Sequence, residues 1–152
     1  MLRVGTVGTS SIMRTIQEAI RLTDGMECRV VYSRTEEQGR AFASEMGVPE
    51  HCTDYAAMLE RSDLDLIDIA SPNRFHVEQA LAALEHGKHV IVEKPAAVTR
   101  GDVQRLIDAA RANGVYFFEA ITTLFMPQYE ACRLLLPKLG RIEQAHITYA
   151  QY

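Results

Sequence analysis

A glutamate and a lysine directly follow a short apolar run in the second half of the chain. Residues 90–92 are Val-Ile-Val, a β-branched run typical of a buried strand in a parallel sheet. Glu93 and Lys94 come next, and open α/β sheets bind ligands where their strands end. Lys94 is therefore a candidate proton-transfer group, with an ordinary surface cation as the alternative. The rest of the chain has to decide between these two interpretations.

A glycine-rich turn follows the first predicted strand. Gly8-x-Ser10-x-x-Met13 stands where a dinucleotide-binding fold carries G-x-G-x-x-G, so a phosphate-binding turn and a merely structural strand–helix turn both remain open. Ser10 is small enough to let a phosphate approach, and the helix behind it supplies free N–H groups and a positive dipole. The candidate phosphate-binding residues are Gly8, Thr9, Ser10, Ser11 and Ile12.

The end of the second predicted strand carries Ser33-Arg34-Thr35, about 25 residues beyond the glycine turn. A fold that prefers NAD usually places an acidic residue there to bind the ribose 2′-hydroxyl. Arg34 instead offers a planar guanidinium suited to a 2′-phosphate, with a solvated surface arginine as the alternative. Ser33 and Arg34 are therefore candidate cofactor-binding residues, and they favour NADP over NAD.

The fourth predicted strand ends at Ser71-Pro72-Asn73, on the same side of the sheet. Asn73 is a good residue to cap the helix that follows. His76 lies in the first turn of that helix and faces either a cofactor or solvent. Ser71, Pro72, Asn73 and His76 join Glu93 and Lys94 as candidate cofactor-binding residues.

Strand and helix patterns alternate six times along the chain, with short connections between them. This alternation predicts an α/β fold, a doubly wound parallel Rossmann sheet of about six strands with flanking helices. A last helix is expected from Pro127 to about Leu136. The segment from Ile142 to Tyr149 breaks the rhythm and is predicted to be the first strand of a further α+β domain. The predicted strands cover residues 2–7, 26–32, 48–53, 64–70, 90–92 and 115–118.

The composition excludes several classes of protein. The net charge of −4 argues against nucleic acid or an anionic membrane as a partner. No apolar run reaches the roughly 18 residues that a membrane span needs. Three widely spaced cysteines without a Cys-x-x-Cys predict neither a disulfide framework nor a metal site, and they fit a reducing cytoplasm.

Several motifs together resemble the N-terminal domain of the Gfo/Idh/MocA oxidoreductases. The most specific are Ala70-Ser-Pro-Asn-Arg-Phe-His76, then Gly87-Lys-His-Val90, then Glu93-Lys94-Pro95, in this order and spacing. The resemblance covers nearly the whole chain. It implies a nucleotide-binding domain at residues 1–120. Residues 121–152 would then hold a connecting helix and the start of a truncated domain for substrate binding and oligomerisation.

This resemblance implies an NADP(H)-dependent oxidoreductase, with NAD possible, that transfers hydride to or from a sugar, a polyol or a related hydroxy or keto compound. Its essential lysine falls on Lys94, its helix-capping asparagine on Asn73 and its histidine on His76. The full-length protein would form a homo-oligomer through the domain beyond residue 152. A non-catalytic NADP-binding sensor or regulatory protein is the alternative, although such a protein would not need Lys94.

One stretch departs from the family pattern. Glu119-Ala120 and Pro127-Gln128 match a later part of the family sequence. Between them, Thr123, Leu124 and Met126 replace the aromatic residue, arginine and histidine that are often found there. This replacement indicates a divergent substrate pocket.

Overall fold

The computed structural model describes residues 1–148 of the chain. It contains six strands, each followed by helical structure. The strands are β1 (Leu2–Val7), β2 (Met26–Tyr32), β3 (Glu50–Cys52), β4 (Leu66–Ile69), β5 (His89–Val92) and β6 (Phe117–Glu119). The α-helices are α1 (Ser11–Leu22), α2 (Glu36–Met46), α3 (Tyr55–Leu59), α4 (His76–Glu85), α5 (Arg100–Ala112) and α6 (Pro127–Leu135). Short 3₁₀ helices cover Asn73–Phe75, Thr122–Phe125 and Leu136–Leu139.

The six strands form one sheet in the order β3-β2-β1-β4-β5-β6. Every neighbouring pair is parallel. The predicted doubly wound sheet is thus confirmed. The strand order reverses direction between β1 and β4, and open α/β sheets bind ligands at the carboxyl ends of the strands around such a point.

Side-chain caps explain where three of the helices begin. The Ser10 hydroxyl accepts a hydrogen bond from the backbone N–H of Met13 at 3.4 Å and starts α1. Thr35 does the same for α2 through the N–H of Gln38. Thr99 caps α5. Each cap satisfies an N–H group that has no partner inside the helix, so these local contacts set the starting points of three helices.

Apolar side chains are buried on both faces of the sheet. On one face, Leu59 of α3, Leu84 of α4 and Leu106 of α5 belong to a single buried cluster with the strands. On the other face, Met13 of α1 and Phe42 of α2 are buried together. The sheet is therefore covered on both sides, which explains why residues 4–7 of β1 and all of β4 are buried.

The chain divides into two units, Met1–Ala120 and Ile121–Tyr152. The second unit contains α6, whose first residue is Pro127 as the sequence predicts. The predicted strand from Ile142 to Tyr149 is wrong over its described part, because residues 142–148 form no strand; Tyr149 lies outside the described residues. An isolated alternating segment has no neighbouring strand to satisfy its backbone groups. No described helix is both long and apolar enough to cross a lipid bilayer.

Candidate functional site

A cavity of about 320 Å³ lies at the carboxyl ends of β1, β2 and β4. Its volume falls in the range of small-molecule sites, about 300–1,000 Å³. The three predicted strand-end motifs all contribute to its wall. The lining residues are Val7, Gly8, Thr9, Ser10, Tyr32, Ser33, Arg34, Gln38, Ala70, Ser71, Pro72, Phe75 and Gln79.

Gly8 forms a closely packed part of the cavity wall. Its φ angle is +116°, a conformation that residues with a side chain rarely adopt. A Cβ atom at this position would lie 2.8 Å from the carbonyl oxygen of Ala70. Only glycine therefore lets the turn after β1 approach the end of β4 so closely, which leaves room for a ligand above it.

Ser10 combines a structural and a chemical role at this turn. Its hydroxyl oxygen accepts from Met13, so the hydroxyl hydrogen stays available for a ligand. The first turn of α1 contains no acidic residue. The positive end of the α1 dipole therefore faces the turn without a carboxylate in that first turn, an arrangement suited to a phosphate.

Ser33 and Arg34 form the part of the wall that follows β2. Ser33 is buried, and its N–H donates to the carbonyl of Cys52 at 3.0 Å, which holds the end of β2 against β3. Arg34 is exposed and lines the cavity. A guanidinium at this position can bind an anion bidentately.

The wall that follows β4 contains residues that the sequence did not predict. The Ser71 hydroxyl donates to the side-chain oxygen of Gln79 at 2.6 Å. The backbone carbonyl of Gln79 accepts from the Tyr55 hydroxyl at 2.8 Å. Phe75 and Gln79 are four residues apart, the spacing of one helix face, and Ser71 precedes the helical residues. That spacing was the signal that could have identified Phe75 and Gln79, whereas Tyr32 and Gln38 carried no comparable pattern.

Lys94 lies in a turn that is held by backbone contacts on both sides. The Glu93 N–H donates to the carbonyl of Ile69 at 2.8 Å. The Ala96 N–H donates to the carboxylate of Glu119 at 2.9 Å. The peptide bond between Lys94 and Pro95 is cis. Lys94 itself is exposed and is not among the cavity-lining residues, so its amine can reach a bound molecule only from beside the cavity.

His76 is completely buried, at 0% exposure. Its Nδ1 lies 2.9 Å from the carbonyl oxygen of Pro95, and its Nε2 lies 2.8 Å from the carbonyl oxygen of Ser71. The ring therefore faces the protein interior. The sequence had left open whether it faces a cofactor or solvent. The turn after β4 and the turn after β5 are both bound to this one side chain.

The structure corrects the prediction for Asn73. No side chain caps α4 or the 3₁₀ helix before it, and the residue at the N-cap of α4 is Phe75. The 3₁₀ turn satisfies the backbone instead, since the Phe75 N–H donates to the Pro72 carbonyl at 2.9 Å. Asn73, like Ser11 and Ile12 of α1, is exposed and does not line the cavity.

Asp68 is a buried carboxyl group on β4 that the sequence left without a role. One of its oxygens has no hydrogen-bond partner. Burial and, second, the charge of Glu93 raise the pKa of Asp68 to about 7. It pairs with Thr6 of β1 and Ile91 of β5, so it lies in the sheet between the cavity and the Lys94 turn.

Comparison with known proteins shows which protein family the chain belongs to. Residues 2–121 match the family model of the Gfo/Idh/MocA proteins, described as an oxidoreductase family with an NAD-binding Rossmann fold. The chain belongs to the Gfo/Idh/MocA family. The predicted resemblance is therefore confirmed, and it covers all six strands.

Several Gfo/Idh/MocA relatives are similar over most of the chain. A scyllo-inositol 2-dehydrogenase (NADP(+)) of Bacillus subtilis is 34% identical over 152 residues, which is 100% of this chain and 46% of that protein. A 3-ketoreductase from Actinomadura kijaniata in complex with NADP superimposes with a TM-score of 0.84 at 30% identity, covering 90% of this chain and 44% of that one. Biliverdin reductase from Synechocystis sp. PCC 6803, in complex with biliverdin and NADP+, gives a TM-score of 0.80 at 30% identity, covering 92% and 44%.

These relatives show the class of enzyme and leave the substrate of this chain open. They are named dehydrogenases and reductases, and their names cover an inositol, a ketone and biliverdin. The chain spans about half the length of each of them. Gfo/Idh/MocA membership thus accounts for the nucleotide-binding fold, whereas the substrate has to be argued separately.

Proposed function

We propose that the cavity binds NADP(H) and that Lys94 moves a proton while hydride passes between the cofactor and a sugar, a polyol or a related hydroxy or keto compound. The observation that carries the proposal is the convergence of the turns after β1, β2 and β4 on one cavity. These turns supply a glycine with positive φ, a helix N-terminus and an exposed arginine. The first two features suit a pyrophosphate, and the arginine can pair with a further phosphate.

The residues of the cavity suit different parts of NADP. Ser10 and the first N–H groups of α1 would hold the pyrophosphate, where Gly8 leaves space for it. Arg34 would pair with the 2′-phosphate, because it stands where NAD-preferring sites place an acid. One relative is named as an NADP(+) enzyme and two relatives have structures with NADP, which supports this choice over NAD.

Lys94 suits the proton transfer that must accompany hydride transfer. A bound nicotinamide cofactor would supply or accept the hydride. The Nζ atom of Lys94 can take the hydroxyl proton when an alcohol is oxidised and return it when a carbonyl is reduced. Its exposure leaves the amine accessible to a substrate, and the hydrogen bonds of Glu93 and Ala96 hold the backbone on both sides of it.

We also propose that the two units differ in function. Residues 1–120 would bind the nucleotide, and residues 121–152 would form the connecting helix and the start of a domain for substrate binding and oligomerisation. The division of the chain after Ala120 supports this assignment. Thr123, Leu124 and Met126 would then contribute to a divergent substrate pocket.

Calorimetric titration with NADPH and NADH tests the cofactor assignment. Arg34→Ala should weaken NADPH binding roughly 10- to 100-fold, because a charge-assisted hydrogen bond is lost, and should leave NADH binding nearly unchanged. Arg100→Ala is the matched control, since Arg100 is exposed at the start of α5 and does not line the cavity. An unchanged NADPH/NADH ratio in Arg34→Ala would remove Arg34 from the site.

A further inference from the structure

His76 connects two turns that are far apart in sequence and follow neighbouring strands. One partner is the carbonyl of Ser71, five residues before it, and the other is the carbonyl of Pro95, nineteen residues after it. Both distances, 2.8 and 2.9 Å, are those of good hydrogen bonds. Two carbonyl oxygens therefore face the two nitrogens of one buried ring. A neutral imidazole donates to one of them, and an imidazolium donates to both.

The two partners belong to different parts of the proposed site. Ser71 lines the cavity, and its hydroxyl orients the Gln79 side chain. Pro95 directly follows Lys94. Because Lys94 does not itself line the cavity, the distance between its amine and a bound nucleotide depends on how the two turns are held together.

A buried histidine can simply satisfy its own polar atoms. The partners of His76 indicate that it also holds two turns together. Both carbonyls belong to irregular turns outside the strand ladders, and α4 itself starts without a side-chain cap. The imidazole of His76 supplies a direct side-chain link between these turns.

We infer that His76 is a positioning residue, whose imidazole fixes the Lys94 turn relative to the cavity wall at Ser71. This inference rests on the proposed function, in which the cavity binds the nucleotide and Lys94 transfers the proton. Nucleotide binding at Ser71 and placement of the Lys94 amine would then be coupled through one side chain.

Two conservative substitutions separate the halves of this link. The amide nitrogen of asparagine occupies the place of Nδ1, so His76→Asn should retain the bond to Pro95 and lose the bond to Ser71. The amide nitrogen of glutamine occupies the place of Nε2, so His76→Gln should do the reverse. His76→Leu replaces the ring with an apolar side chain of similar size and removes both contacts.

Amide hydrogen exchange tests the link in the free protein, without any nucleotide. The Ala96 N–H reports on the Lys94 turn, and the Phe75 N–H reports on the turn after β4. In His76→Asn only Phe75 should exchange faster, roughly five- to tenfold, and in His76→Gln only Ala96 should do so. In His76→Leu both should exchange faster.

A second measurement adds NADPH. The chain has three lysines, Lys88, Lys94 and Lys138, so reductive ¹³C-methylation yields few NMR signals to assign. NADPH should shift the Lys94 signal in wild type and in His76→Asn, and not in His76→Gln. The Kd for NADPH should rise roughly five- to tenfold in His76→Asn and stay within about twofold in His76→Gln.

Ile20→Ala is the control for a general loss of stability, because Ile20 is buried with Val4 and Leu66. It should lower Tm and leave the Ala96 and Phe75 exchange rates in their wild-type ratio.

The inference is overturned if the Asn and Gln variants behave alike, if the Leu variant exchanges as wild type does, or if all three His76 variants unfold. If wild type does not bind NADPH, the proposed function fails, and the exchange rates still decide whether His76 links the turns.

Discussion

The cavity and the Lys94 turn are built in different ways. The cavity depends on local features, namely a glycine with positive φ at Gly8 and a helix that Ser10 caps. The Lys94 turn is held by side chains and carbonyls from elsewhere in the chain: Ile69, His76 and Glu119. The features of the proposed nucleotide site are therefore encoded close to each turn, whereas the position of the proposed proton-transfer group depends on the assembled sheet.

The largest effect is expected from a substitution that removes the proposed proton transfer and leaves NADPH binding intact. In the complete protein, Lys94→Met should lower kcat roughly 10²- to 10⁴-fold, the usual contribution of a positioned acid or base. The Kd for NADPH should change little, since Lys94 does not line the cavity. Steady-state kinetics with candidate polyols and titration with NADPH measure the two quantities.

Lys138→Met removes the same charge from an exposed position and should retain wild-type turnover. Wild-type turnover in Lys94→Met would exclude Lys94 from proton transfer. If wild type itself binds NADPH tightly and turns over no substrate, the sensor alternative is favoured.

A smaller effect is expected from adding a side chain at Gly8 in the cavity wall. Gly8→Ala forces an alanine into positive φ and brings its Cβ within 2.8 Å of the Ala70 carbonyl. Strain of this kind costs about 1–3 kcal/mol. We expect NADPH binding to weaken roughly 5- to 150-fold, measured by titration calorimetry.

Gly25→Ala separates strain from the loss of the site. Gly25 also has positive φ, at +82°, but a Cβ there meets nothing within 4 Å. This variant should be less stable to thermal unfolding and bind NADPH as wild type does. Equal losses of NADPH affinity in both variants would show that Gly8 has no specific role in the cavity.

An effect on stability alone is expected at Asp68, on the strand between the two regions. Its pKa of about 7 in the folded protein exceeds the ordinary value of 3.8, so between these two pH values the folded state holds a proton that the unfolded state has lost. Wild-type stability should therefore fall, relative to Asp68→Asn, by about 1.4 kcal/mol for each pH unit as the pH rises from 4 towards 7. Above about pH 7 the difference should become constant.

Urea denaturation at several pH values measures this difference. Asp24→Asn is the control, because Asp24 is exposed in the turn after α1 and should give a curve parallel to wild type. A parallel curve for Asp68→Asn would mean that Asp68 is ionised in the folded protein. The buried carboxyl would then need a partner, which its unbonded oxygen does not have within residues 1–148.

The sequence by itself determined the sheet and three strand-end motifs of the cavity. The reason is that alternating apolar patterns and caps such as Ser10 and Thr35 depend on only a few neighbouring residues. They can therefore be recognised in the sequence before the fold is known. The failed strand from Ile142 shows the limit of such patterns. An alternating segment becomes a strand only when another strand satisfies its backbone groups.

Only the tertiary structure decided how the motifs relate to one another. It placed Gln79 and Phe75 in the cavity wall, left Asn73 without a capping role and turned His76 inward between two carbonyls. Each of these outcomes depends on which turns lie side by side at the edge of the sheet. That adjacency arises from the strand order, because residues far apart in sequence meet only after β4 has paired with both β1 and β5.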